Sequence, residues 1–122
     1  MAQLVLFNKP YRVLSQFTDD INRSTLANFI DLPNVYPAGR LDYDSEGLML
    51  LTDSGKLQAQ ISHPKYKLAK TYWVQVEGEP TADHLRQLRK GMLLKDGKAV
   101  AISAHCIVAP QIPERNPPIR IR

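Results

Sequence analysis

Gly39-Arg40-Leu41-Asp42-Tyr43-Asp44-Ser45-Glu46-Gly47-Leu48-Met49-Leu50-Leu51-Thr52-Asp53-Ser54-Gly55 is the stretch on which the fold turns. Its apolar run, Leu48, Met49, Leu50 and Leu51, is too short for a lone helix and reads as a buried strand over 47–52. Asp53, Ser54 and Gly55 make a turn, and 56–63 forms a short helix stopped by Pro64. Ahead of the strand, Gly39 opens a loop that carries Arg40, Asp42, Asp44 and Glu46. A charged loop fixed against a rigid strand is where catalytic groups usually sit. An Arg two residues from an Asp can lower the carboxylate's pKa and hold it ionised, as a nucleophile or base requires. Spacing alone leaves open a plain solvated turn.

The same segment has a second reading. Asp42, Asp44, Glu46 and Gly47 fall at positions one, three, five and six of a calcium-binding loop, and Asp53 at position twelve. Position five is Glu where Asp or Asn is usual, and position twelve is one methylene short of the bidentate Glu. The helix such a loop needs on its N-terminal side is ruled against by Tyr36-Pro37-Ala38-Gly39.

Outward from this centre, residues 3–7 read as a strand stopped by Asn8, Lys9 and Pro10, and 13–17 as a second strand of the sheet. Ser24 caps a short helix running to 31, with Leu26, Phe29 and Ile30 on one side and Pro33 after it. In the second half, 69–77 alternates cleanly, Tyr72, Val74 and Val76 on one face and Trp73 and Gln75 on the other, which predicts a strand. Thr81 caps a helix over 82–90 that buries Leu85 and Leu88 and ends at Gly91, and 100–108 reads as another strand. Residues 109–122, with Pro110, Pro113, Pro117 and Pro118 among charges, read as a linker. The class is α+β, a mostly antiparallel sheet with short flanking helices, in one domain-sized unit over 1–122.

The 122 residues carry 43% hydrophobic and 23% charged side chains, a soluble globular composition, with no run near the roughly 20 apolar residues of a membrane helix. The N-terminus has neither a basic flank nor a small-residue cleavage site, so the expected location is the cytoplasm. Cys106 is the single cysteine, without a partner for a disulfide or a zinc site, and is expected to be half-buried in a strand. The net charge of +4 favours a polyanionic partner. Basic residues gather at Lys65, Lys67 and Lys70, at Arg86, Arg89 and Lys90, and at Arg115, Arg120 and Arg122.

Gly39-Arg40-Leu41-Asp42, then Glu46-Gly47-Leu48 and the run to Gly55, resembles the signature of the bacterial small-subunit and large-subunit rRNA pseudouridine synthases. Asn8-Lys9-Pro10 is similar to their first motif and Lys70-Thr71-Tyr72-Trp73-Val74 to their Lys-x-Tyr-x-Val strand, all in the family's order over essentially the whole chain. Arg115-Asn116-Pro117-Pro118-Ile119-Arg120 resembles one large-subunit subgroup, which lacks the S4 RNA-binding domain of its relatives.

The resemblance implies an RNA isomerase that needs no cofactor and no metal. Such enzymes break the bond from C1′ to N1 of a uridine in ribosomal RNA, rotate the base and rejoin it through C5. Asp42 matches the aspartate that starts this, by attack at C1′ or by assisting loss of a ribose proton. Arg40 matches the arginine that displaces the target base from its helix, as chemistry on a base requires. Tyr72 matches the tyrosine that packs on the uracil and is a candidate for removing the C5 proton. Lys9 either contacts phosphate or caps a loop, and Lys70 belongs with the RNA-binding groups. The implied partner is 23S rRNA.

Family members continue past the Asn-Pro-Pro segment into another strand, a Gly-Arg-x-x-Gln-Val-Arg-Arg-Met motif and a second subdomain. This sequence is therefore expected to be the N-terminal part of a longer chain, with reduced activity by itself. Strand edges left open are expected to drive self-association of the piece, whereas the full-length protein is expected to be a monomer. The alternative from another class is a module that binds RNA or assists ribosome assembly without turnover.

Overall fold

The computed structural model describes residues 2–66, 68–95, 97–119 and 121. Lys67, Arg120 and Arg122 of the basic clusters lie outside the described residues. The chain divides into two compact units, Met1–Lys70 and Thr71–Arg122.

The first unit is built on a three-stranded antiparallel sheet whose order is β1 (Leu4–Lys9), β3 (Gly47–Thr52), β2 (Tyr36–Ala38). The expected buried strand, β3, lies at the centre, with Leu51 completely buried and Met49 nearly so. Register sets the faces: Val5 lies opposite Leu51 and Phe7 opposite Met49, so these four share one side. There they meet Val13, Leu26 and Val35 in the core, with Phe17, Ile30 and Leu41 packed against it. Pro37 sits in an edge strand, where its missing N–H costs no ladder bond. Helix α1 (Gly55–Ser62) starts at Ser54, whose Oγ accepts from the Leu57 amide, and its Gln58 side chain donates to the Pro37 carbonyl of β2.

Two expectations in this unit change. Residues 13–17 do not join the sheet; Leu14 makes an isolated parallel bridge to Thr25 instead, through Leu14 N to Ser24 O and Leu26 N to Gln16 O. The place beside β1 in the sheet is taken by β3. The helix expected from Ser24 to 31 is a single 3-10 turn, Leu26–Asn28, capped by Thr25 rather than Ser24. Thr25 Oγ1 accepts from the Ala27 amide and the Asn28 side chain accepts from the Thr25 amide, which closes a reciprocal cap.

In the second unit, α2 (Ala82–Lys90) forms over the expected residues. Thr81 and His84 cap each other, Asp83 sits in the first turn, and Gly91, at φ 114°, ends the helix. A short antiparallel hairpin follows, β4 (Met92–Leu94) with β5 (Gly97–Ala99), which the sequence reading had not separated from its surroundings. The strands expected over 69–77 and 100–108 are not formed. A strand needs a hydrogen-bonded neighbour and a covered face, and in these segments Tyr72, Trp73, Ile102 and Val108 are among the most exposed apolar side chains of the chain. Cys106 is accordingly exposed rather than half-buried. The α+β class, with antiparallel pairing throughout both sheets, is as expected. No described helix is long and apolar enough to cross a membrane.

Candidate active site

The loop between β2 and β3 is bracketed by two glycines in left-handed backbone conformations, Gly39 at φ 91° and Gly47 at φ 131°. L-residues rarely adopt such angles, so the glycines let the chain leave one strand and enter the next sharply. Between them the side chains alternate: Leu41, Tyr43 and Ser45 are half-buried, while Arg40, Asp42, Asp44 and Glu46 are exposed. Leu41 packs onto the core and so fixes which way its neighbours face.

Three contacts hold this loop from behind. The Ser15 hydroxyl donates to the Leu41 carbonyl at 2.6 Å and accepts from the Leu41 amide at 3.1 Å. The Arg12 amide donates to the Tyr43 carbonyl at 2.8 Å. The Lys9 ammonium donates to the carbonyls of Ser45, at 2.6 Å, and of Pro10, at 2.9 Å. Within the loop the Ser45 amide returns to the Asp42 carbonyl at 3.1 Å, closing a turn over 42–45. Beside it, Arg23 lies over the Tyr43 ring at 5.5 Å while pairing with Asp19 at 3.0 Å. That pairing holds the Asp19 carboxyl below its usual pKa and raises the Arg23 guanidinium.

Lys9 is the most unusual residue of the group. Alternation along β1 carries Val5, Phe7 and then Lys9 to the core side, and Lys9 is 0% exposed. Burial pushes its pKa below the ordinary lysine value of 10.5, and the negative charges of Glu46, Asp44 and Asp42 pull it back up. A buried cation under a row of carboxylates is thus compensated only in part by the loop it supports.

The structure brings Lys9, Arg40 and Asp42 to one loop. The Asp42 carboxylate makes no hydrogen bond or ion pair with any of the described residues, and Arg40 does not pair with it: the guanidinium donates instead to Gln16 Oε1 at 3.2 Å. Lys70 is exposed at the end of the first unit. Tyr72, 69% exposed, lies at the start of the second, in a stretch without regular secondary structure. The calcium reading fails on geometry. Strands rather than helices flank the loop, β3 occupies the residues between positions six and twelve, and the Asp53 carboxylate is bonded to the Gln3 amide at 2.8 Å. No cluster of potential metal ligands forms among the described residues.

Sequence reasoning missed Ser15 and Gln16. The signal for Ser15 was present, since it falls between Val13 and Phe17 at period two and so points inward with them. Nothing in the local pattern marks Gln16.

The model of the RNA pseudouridylate synthase family matches residues 3–106 of this chain. The ribosomal large subunit pseudouridine synthase E of Vibrio vulnificus is 57% identical over 120 residues, covering 98% of this chain and 51% of the relative. The protein of the same name from Xanthomonas axonopodis pv. citri is 52% identical over 122 residues, covering 98% of this chain and 64% of its own. A crystal structure of a pseudouridylate synthase superimposes with a TM-score of 0.70 at 32% identity, over 79% of this chain and 42% of that one. The chain thus spans between about half and two thirds of the length of the two large-subunit pseudouridine synthases, and less than half of that of the solved structure. With the motif loop built as a pinned, outward-facing carboxylate turn and the match running through both units, this chain belongs to the RNA pseudouridylate synthase family.

Proposed function

We propose that this chain is the catalytic-aspartate part of an enzyme that converts a specific uridine of 23S ribosomal RNA to pseudouridine. Asp42 is the catalytic residue. Its carboxylate either attacks C1′ as N1 departs and is displaced when C5 bonds to C1′, or takes a proton from the ribose as N1 departs and returns it as C5 bonds to C1′; in both, the freed uracil turns over before rejoining, C5 loses its proton and N1 gains one. Arg40 meets the RNA where the target base leaves its stack, Tyr72 packs on the uracil, and Lys70 serves the phosphates. The observation that carries this reading is the unpartnered Asp42 carboxylate on a loop whose backbone is fixed at Leu41, Tyr43 and Ser45. A reacting group is useful when its backbone is held and its reactive atoms are free. Burial of Lys9 supports the loop-capping role for it over phosphate contact. The names of the relatives support large-subunit rRNA as the substrate.

The test is tritium release from a 23S rRNA transcript labelled at uridine C5. The same residues placed within a chain of the relatives' full length are expected to release tritium, and Asp42→Asn is expected to abolish release without lowering the melting temperature. Release that survives Asp42→Asn refutes the assignment. A second reading, a module that binds RNA without turnover, is favoured by the net charge of +4. It predicts that the 122-residue chain retards the transcript in a gel and releases no tritium.

A further inference from the structure

Ser15 and Gln16 lie alongside Leu41 and Arg40 and grip them with successive side chains. Ser15, 5% exposed, spends its hydroxyl on both backbone groups of Leu41. One residue on, Gln16 Oε1 accepts from Arg40 Nη2 at 3.2 Å while Gln16 Nε2 donates to the Thr18 carbonyl at 2.7 Å. The two ends of the amide therefore have partners of opposite kind, and only one orientation of the group satisfies both. The Gln16 backbone is itself anchored, because its carbonyl accepts from the amide of fully buried Leu26.

The consequence falls on the guanidinium. Asp42 is two residues from Arg40 and carries the opposite charge, which makes it the natural ion-pair partner of an unrestrained Arg40. The structure has Arg40 on Gln16 and Asp42 unpaired. We propose that Gln16 is a positioning residue for Arg40: its amide holds the guanidinium ready for the RNA and keeps it off the Asp42 carboxylate. This deepens the preceding proposal and rests on its roles for Arg40 and Asp42.

A double-mutant cycle on RNA binding tests it. Affinity of the 122-residue chain for a 23S rRNA transcript is measured by filter binding at fixed salt for the wild type, Gln16→Ala, Arg40→Ala and the double variant. Gln16→Ala is expected to weaken binding by about three- to tenfold, the scale of one ordinary solvent-exposed hydrogen bond, with no change in melting temperature. The double variant is expected to bind as Arg40→Ala does alone, because Gln16 acts through Arg40. Wild-type affinity in Gln16→Ala, or losses that add in the double variant, overturn the proposal and leave the Arg40 assignment standing. Wild-type affinity in Arg40→Ala overturns both.

Discussion

Replacing Lys9 by methionine keeps most of the apolar stem and removes the ammonium, which isolates what that group does. In the wild type it is wholly buried and donates to the Ser45 and Pro10 carbonyls at 2.6 and 2.9 Å. A hydrogen bond from a charged donor contributes about 1.5–3 kcal/mol, and a carbonyl stripped of its partner costs roughly 1–3 kcal/mol if water cannot reach it. Against this stands the cost of keeping a cation out of water, which the lowered pKa of Lys9 shows to outweigh the attraction of Glu46, Asp44 and Asp42. Methionine escapes that cost. The balance is a net loss of about 2 kcal/mol, or roughly 10 °C in Tm for a unit of this size. Circular dichroism melts measure it directly. A second readout follows from where the bond lies: the Ser45 amide closes the turn on the Asp42 carbonyl, so amide hydrogen exchange at Ser45 should accelerate in Lys9→Met through local opening, while the central β3 amides accelerate only as far as the global loss of stability requires. A variant that melts with the wild type and protects Ser45 equally well would refute the view that a buried cation pins the acidic loop.

The same residue gives a pH dependence. Its folded pKa lies below the unfolded value of 10.5, so the native chain holds fewer protons in the window beneath 10.5, and the Lys9 contribution to stability grows as pH rises through it. The stability difference between wild type and Lys9→Met, from urea melts, should widen from neutral pH toward 10.5; a narrowing difference contradicts it. Ser15→Ala removes the partner of both Leu41 backbone groups and should cost about 1–3 kcal/mol in urea unfolding, with a loss of tritium release beyond the lost folded fraction. Leu51→Ala, in the centre of β3 and fully buried, should cost about 2–5 kcal/mol; a loss under 1 kcal/mol would mean that the core is not closed around it. Gly39→Ala meets no neighbour but must adopt φ 91°, so it should destabilise through backbone strain by about 1–2 kcal/mol, measurable in the same urea melts.

Local signals were legible where one element could satisfy itself. Helix α2 has its cap, its acidic first turn and its terminal glycine within eleven consecutive residues, and β3 announces itself by an unbroken apolar run. Failure came where the outcome depends on a partner. Residues 69–77 alternate as a strand should, yet no neighbouring strand among the described residues pairs with them, so Tyr72 and Trp73 stay exposed. Residues 13–17 have the same alternation, and there it is obeyed in burial, Val13 and Ser15 inward, without a ladder being formed. Alternation thus reported the side-chain faces correctly in one case and the pairing in neither, since facing is a property of the segment and pairing a property of two.

The candidate site divides along the same line. Which residues carry charge, and that they follow a glycine and precede a buried strand, is written in the local order of 39–52. What holds them comes from residues 9, 12, 15 and 16, of which Lys9 reaches the loop because β1 pairs with β3 in one register. A slip of that register by one residue would turn Val5, Phe7 and Lys9 to the opposite face together. The ammonium would leave the Ser45 carbonyl, and the core would lose Phe7 in the same step. Packing of the apolar side chains and placement of the acidic loop are therefore not separate achievements of this fold: the hydrophobic face that selects the register also delivers Lys9 beneath Asp42, Asp44 and Glu46.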